Sequence, residues 1–116
     1  MSIDVFTLGL TFILMHEMDA MRCHEWRIFP GISLMNDRAG MITFIFLHIP
    51  LFYLPLSPSI ILNESFRTGC SIFFIVHVML HLLFLMHKKN EFKDWISWSL
   101  ILGAGICGGL YLVINQ

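Results

Sequence analysis

Charged residues are scarce in this sequence. Asp, Glu, Lys and Arg make up 13% of its 116 residues, against about 25% in an ordinary soluble domain. The net charge of −1 and the lack of a long basic run exclude a phosphate-binding face, so no nucleic-acid partner is expected. Hydrophobic residues make up 57% of the chain, and a soluble domain of this size cannot bury so much apolar surface. The lipid bilayer is therefore the expected environment.

Cysteine is also rare, and the start of the chain has no basic residue. Cys23, Cys70 and Cys107 lie in different segments and form no Cys-x-x-Cys unit, which excludes a disulfide framework and a thiol-redox motif. Core filling is the expected role of all three. The first apolar stretch has no basic region before it and ends in charged residues, so we expect a retained transmembrane helix rather than a cleaved signal.

Four apolar segments each approach the ~20 residues that cross ~30 Å of hydrocarbon. These predicted spans cover about residues 3–21, 40–56, 69–86 and 95–114. The first is predicted to continue as helix to Phe29, where Pro30-Gly31 stops it. Pro50 and Pro55 predict a kink, or a shortened and tilted span, in the second segment.

Basic residues in the short connections predict the orientation. Six follow the first and third spans: Arg22, Arg27, Arg38, Lys88, Lys89 and Lys93. Only Arg67 lies between the second and third spans. The predicted fold class is therefore an all-α, integral membrane four-helix bundle, a single domain of residues 1–116 with both termini on the non-cytoplasmic side.

Because four short helices bury limited area, a homo-oligomer or a larger membrane complex is expected, and the Gly105/Gly109 spacing permits close helix approach within or between chains.

Apart from Asp4 at the start of the first span, six His, Asp and Glu residues lie inside the predicted spans: His16, Glu17, Asp19, His48, His77 and His81. Hydrocarbon penalises such groups by about 2.5 kcal/mol or more each, so they persist there mainly when paired, ligated or functional. Two of the histidines, at positions 16 and 81, lie roughly 8 Å inside the cytoplasmic ends of their spans, and the one at 48 lies about 12 Å inside. Matched depth predicts that the cluster meets in the cytoplasmic half of the membrane.

The spacing of the histidines is typical of a metal site. His77 and His81 are four residues apart and share a helix face, as two imidazoles that grip one ion do. We predict His77, His81 and His48 as the first ligands and His16 as the fourth. Neutral imidazoles with a carboxylate favour a divalent metal, zinc first and iron as an alternative.

Two acids flank this site on the first helix. An arc of about 160° holds His16, Glu17 and Asp19, so each acid is a candidate catalytic residue, acting as a general base, an extra ligand or an orienting partner. Glu25 would point nearly opposite to His16 and is expected to pair with Arg22. Since zinc lowers the pKa of bound water toward ~7, we expect a hydrolase-type enzyme that acts on an ester or amide bond of a lipid-like substrate.

Other interpretations remain open. The cluster could be a purely structural polar network, or a path for protons or a substrate. It could also hold a b-type haem that exchanges electrons with quinone, with His48 and either His77 or His81 as axial ligands, although the acids would then need another role. His24 and His87 lie at the membrane boundary and are predicted to be solvated residues rather than ligands.

Two resemblances add to this interpretation. The run His16-Glu17-Met18-Asp19-Ala20, followed by His24-Glu25-Trp26-Arg27, resembles the N-terminal signature of small bacterial four-helix membrane proteins, which implies a multi-pass protein of the bacterial inner (plasma) membrane. His77-x-x-x-His81 with a distant histidine resembles the zinc site of alkaline ceramidases and adiponectin-receptor-like proteins. Those proteins have seven helices and also use a Ser and an Asp without counterparts here, so the resemblance implies the metal chemistry and not the substrate.

Overall fold

Capping residues set the starts of the long helices. The computed structural model describes all 116 residues and contains five α-helices and no strand: α1 (Ser2–Arg22), α2 (Asp37–Leu56), α3 (Pro58–Ile61), α4 (Glu64–Phe84) and α5 (Trp95–Ile114). Asn36, Asn63 and Asp94 precede α2, α4 and α5, and each side chain accepts a hydrogen bond of 2.9–3.0 Å from a backbone N–H of the first turn. Such caps satisfy amides that have no partner within the helix.

The all-α prediction is confirmed. Helices α2, α4 and α5 are long and apolar enough to cross a membrane. Helix α1 has 21 residues, but Asp4, Glu17 and Asp19 make it too highly charged to qualify by composition alone. Helices α2 and α4 begin at residues 37 and 64, earlier than the sequence predicted, and α3 adds a single turn between them that was not predicted.

Helix α5 packs against both α1 and α4, and small residues allow the close contact. A Cβ added at Gly9 would lie 2.8 Å from the Cβ of Cys107, and one added at Gly108 would lie 2.6 Å from the carbonyl oxygen of Ser71. Cys107 and Gly108 of α5 therefore serve packing within the chain. Helix α2 instead packs on α3 and on the segment between α1 and α2, and stands apart from α1 and α4.

This packing predicts different effects for two neighbouring glycines. Gly108→Ala should destabilise the protein by about 1–3 kcal/mol, because the new methyl group meets a backbone carbonyl that cannot move freely. Gly109 has no neighbour within 4 Å of an added Cβ, so Gly109→Ala should be neutral or stabilising by up to ~1 kcal/mol through helix propensity. Thermal unfolding in detergent measures both, and equal effects would contradict the close packing of α4 on α5.

The predicted continuation of the first helix to Phe29 is wrong. Helix α1 ends at Arg22, and His24 adopts the left-handed conformation, with φ 52° and ψ 48°. The chain reverses there into a single 3₁₀ turn, Glu25–Arg27, which carries the nearly buried Trp26 into an apolar cluster. The other members of that cluster are Ala20, Cys23, Ile28, Ile32, Phe44, Phe92 and Ile101. Burial of this aromatic side chain and its neighbours outweighs the preference of the segment for helix. We call this end of the bundle the Trp26 end.

Candidate metal site

Three histidines meet inside the bundle near the Trp26 end. His16 from α1 and His77 and His81 from α4 are buried, with at most 6% of each residue exposed. The ring centroids lie 4.5 Å (His16–His77), 4.7 Å (His16–His81) and 4.5 Å (His77–His81) apart. One nitrogen from each ring falls within 4.8 Å of the others. We call these residues the histidine triad; their geometry can hold a metal ion.

The triad has unsatisfied polar atoms. Both ring nitrogens of His16, both of His81 and Nδ1 of His77 are buried without a hydrogen-bond partner. Buried polar groups nearly always have partners, and each one left without costs about 1–3 kcal/mol. Three imidazole nitrogens within 4.8 Å of one another are suited to a transition metal or zinc. The residues present therefore fit a metal ion.

Glu25 adds a carboxyl group to the triad. Its Oε2 lies 3.8 Å from Nε2 of His16 and its Oε1 lies 3.6 Å from Nε2 of His81, distances too long for hydrogen bonds. Burial, together with the nearby negative charge of Glu17, raises the pKa of Glu25 to about 8. The expected pairing with Arg22 is wrong, because the left-handed turn at His24 directs Glu25 into the bundle. The sequence gives no clear signal for that turn.

Phe92 closes the triad at the Trp26 end. This fully buried ring packs 5.3 Å from the ring of His16 and 4.6 Å from that of His81, centroid to centroid. The indole Nε1–H of Trp98 donates a 2.9 Å hydrogen bond to the carbonyl of Phe92, which fixes the loop between α4 and α5. The triad is thus shielded on this side and accessible from the space beside α2. No pattern in the sequence indicates that Phe92 shields the triad.

A cavity of about 290 Å³ adjoins the triad in the space between α2 and helices α1 and α4. Its polar lining consists of Glu17, Glu25, His48, His77 and His81. The remaining seven lining residues are apolar: Phe29, Phe44, Leu47, Leu51, Phe73, Leu80 and Phe84. Few, convergent polar groups in an apolar cavity are typical of a small-molecule site. We call this space the histidine cavity.

His48 and Glu17 form a pair within the histidine cavity. Nε2 of His48 lies 2.7 Å from Oε2 of Glu17, and Nδ1 lies 2.6 Å from the carbonyl oxygen of Phe44. A carbonyl oxygen only accepts, so Nδ1 carries a proton. The contact with Glu17 then needs a second proton, on Nε2 or on the carboxyl group. The pair therefore holds a transferable proton. His48, predicted from the sequence among the first three ligands, lies outside the triad, whereas His16, predicted as the fourth, belongs to it.

Asp19 lies outside the histidine cavity. The hydroxyl of Ser97 donates a 2.5 Å hydrogen bond to its Oδ2, and Nε of Arg22 donates one of 2.7 Å to its Oδ1. Arg22 also forms a 3.0 Å ion pair with Asp94, the N-cap of α5. This network ties α1 to α5, a structural role that the sequence did not distinguish from a catalytic one.

The two remaining histidines lie at the surface. Nδ1 of His24 lies 2.7 Å from Oε2 of Glu91, in a pair in which both side chains are more than a third exposed. Nδ1 of His87 accepts a 3.1 Å hydrogen bond from the amide of Lys89. Neither residue contributes to the triad, and their position at the membrane boundary stays a prediction.

Comparison with known proteins identifies the family of the chain. No curated protein and no solved structure gives a significant match. A family model described as a family of unknown function, DUF6713, matches residues 3–116. Because that match spans nearly the whole chain, the protein belongs to the DUF6713 family.

Proposed function

We propose that this is a membrane-embedded metal-binding protein, a zinc- or iron-dependent enzyme of the hydrolase type that acts on a lipid-like substrate. One observation carries the proposal: five buried ring nitrogens of His16, His77 and His81 have no partner, and one nitrogen from each ring lies within 4.8 Å of the others. A structural polar network would pair these atoms with one another or with neighbours. Three imidazole ligands that leave a position open are typical of catalytic zinc.

The histidine cavity supplies the other groups that hydrolysis requires. A bound ion would act as a Lewis acid and lower the pKa of water to about 7. The His48–Glu17 pair, which shares a proton at 2.7 Å, can take a proton from the attacking water and return it to the leaving group. Glu25 places a carboxyl group next to the ligands, where it can orient a water or carbonyl group. The apolar walls exclude bulk water from the reaction.

We further propose that α1 is a fourth span, and that both termini are on the non-cytoplasmic side of a bacterial inner membrane. Two features of α1 support this. Its 21 residues are enough to cross ~30 Å of hydrocarbon, and its inner charges are paired, as Glu17 is with His48 and Asp19 is with Arg22. Six of the seven basic residues lie either between the last residue of α1 and the first turn of α2 or between α4 and α5, on the side that the positive-inside rule assigns to the cytoplasm. The histidine cavity would then lie near the inner leaflet.

The geometry favours a single ion over haem. A haem axial ligand needs a free nitrogen facing the iron, and both nitrogens of His48 already face oxygen atoms at 2.6–2.7 Å. The rings of His77 and His81 are in edge contact, which leaves no room for a porphyrin between them. A preparation made with adequate haem should therefore be colourless, and a Soret band would contradict the choice of a bare ion.

Metal content tests the proposed ligands. Protein purified in detergent without chelators should carry about one zinc or iron ion per chain, measured by elemental analysis. The His77→Ala/His81→Ala variant should lose that ion, because two of the three ligands are gone. The His24→Ala/His87→Ala variant removes the same number of histidines from the surface and should retain it. Metal retained by the first variant, or absent from the wild type even after incubation with zinc, would contradict the site.

A further inference from the structure

A second, almost wholly apolar compartment adjoins the histidine cavity. It has a volume of about 150 Å³ and lies between α1, α2 and α4. Leu10 and Leu14 line it from α1, Leu54 from α2, and Phe66 and Cys70 from α4. No charged side chain lines it, in contrast to the histidine cavity. Two adjacent spaces with opposite chemistry thus lie between the same three helices.

The two compartments are aligned along the helices. Leu51 of α2 and Phe73 of α4 line both of them and form their border. From His77 to Cys70 the lining of α4 moves seven residues toward the start of the helix, a rise of roughly 10 Å. The linings of α1 and α2 move in the same spatial direction, from Glu17 to Leu10 and from His48 to Pro55. The two compartments thus lie end to end along the helices, polar at the Trp26 end and apolar at the other, and we call the two together the groove.

We propose that this groove binds one acyl chain of an amphiphile, with the carboxyl or ester group at the His48–Glu17 pair and the chain running past Leu51 and Phe73 to Cys70. The proposal rests on the proposed function, because it names the substrate class of the same site. A groove with one polar end matches a ligand with one polar end. Both compartments together are too small for a helix about 10 Å in diameter, which excludes a helical segment of a second protein as the occupant.

The position of α2 supports an entry route for such a ligand. Helix α2 stands apart from α1 and α4 along the groove. It packs instead on α3 and on the segment between α1 and α2. Its outer face carries large apolar side chains such as Ile49, which is 62% exposed and faces the lipid in the proposed topology. An acyl chain could therefore enter sideways from the bilayer without leaving hydrocarbon.

Cys70 is a built-in reporter for this proposal. It lines the apolar compartment and is partly accessible, whereas Cys23 and Cys107 are buried. In a sterol-based detergent that has no alkyl chain, palmitate should slow the labelling of Cys70 by a lipid-soluble maleimide severalfold. Hexanoate, whose chain is too short to pass the border, should not. Mass spectrometry of the labelled peptides assigns the site, and labelling unaffected by palmitate would overturn the proposal.

A filling substitution gives an independent test. Leu54→Trp should weaken palmitate binding roughly tenfold, because it overpacks the apolar compartment, while hexanoate binding stays unchanged. Ile49→Trp makes the same change on the lipid-facing side of α2 and should bind palmitate as the wild type does. Palmitate binding is measured by native mass spectrometry. Equal binding by both variants would contradict the proposal that the groove holds the acyl chain.

These measurements use chelator-treated protein, so their outcome does not depend on metal. Palmitate protection of Cys70 in a protein that never binds metal would retain the groove and reject the proposed function. Metal bound by the triad, with Cys70 unprotected and Leu54→Trp binding palmitate normally, would retain the metal site and reject the groove.

Discussion

Replacing His77 and His81 together by leucine should make the metal-free protein more stable than the wild type, and zinc should stabilise the wild type but not the variant. Three of the five unpartnered ring nitrogens belong to these residues, and each costs about 1–3 kcal/mol when left without a partner. Leucine fills a similar volume without polar atoms. The wild type, but not the variant, should gain about 2.7 kcal/mol when zinc is present at 100 times its dissociation constant.

Thermal unfolding in detergent, with chelator and with zinc, measures both effects. Zinc should raise the unfolding temperature of the wild type and leave that of the variant unchanged. The His24→Ala/His87→Ala variant should follow the wild type in both, since it leaves the triad intact. If the leucine variant is instead less stable with chelator as well as with zinc, the histidines form a structural network, as the alternative interpretation of the sequence held.

Helix periodicity and depth were sufficient to predict most of the triad. His77 and His81 share a face by their spacing, and His16 has a matching depth on another helix, so two simple rules bring three side chains together. The capped starts of α2, α4 and α5 follow from Asn36, Asn63 and Asp94 just as directly. These features depend on local geometry, which the sequence specifies.

Features that depend on the lateral arrangement of the helices were less predictable. Depth alone groups His48 with the triad, but α2 stands away from α1 and α4, so His48 reaches only Glu17. The role of Glu25 depends on one left-handed residue, His24, whose conformation is set by the burial of the following segment. Phe92 shields the site from a loop, where the sequence has no helical periodicity to indicate which side chains face inward. Tertiary packing determines the positions of His48, Glu25 and Phe92, and no local sequence pattern indicates that packing.

Glu17→Gln should reduce hydrolysis of a chromogenic acyl ester in mixed micelles by about 10²–10⁴-fold, the usual contribution of a positioned acid–base group. The amide cannot exchange a proton with Nε2 of His48, although its shape is nearly unchanged. Metal content should stay at the wild-type level, because Glu17 is not among the proposed ligands. His48→Asn should have a similar effect, and the double variant should be no worse than either single one, since the two residues act as a unit.

Asp19→Asn is the matched control for this prediction. It makes the same acid-to-amide change two residues further along α1, and its remaining oxygen can still accept a hydrogen bond from Ser97 or Arg22. Because Asp19 lies outside the histidine cavity, the rate should change little, even if the unfolding temperature falls through the weakened link to α5. Loss of activity in Asp19→Asn with activity retained in Glu17→Gln would show that Asp19, and not Glu17, is the acid–base residue. Equal loss in both, with metal content unchanged, would show that the carboxylates support the architecture of α1 rather than the reaction.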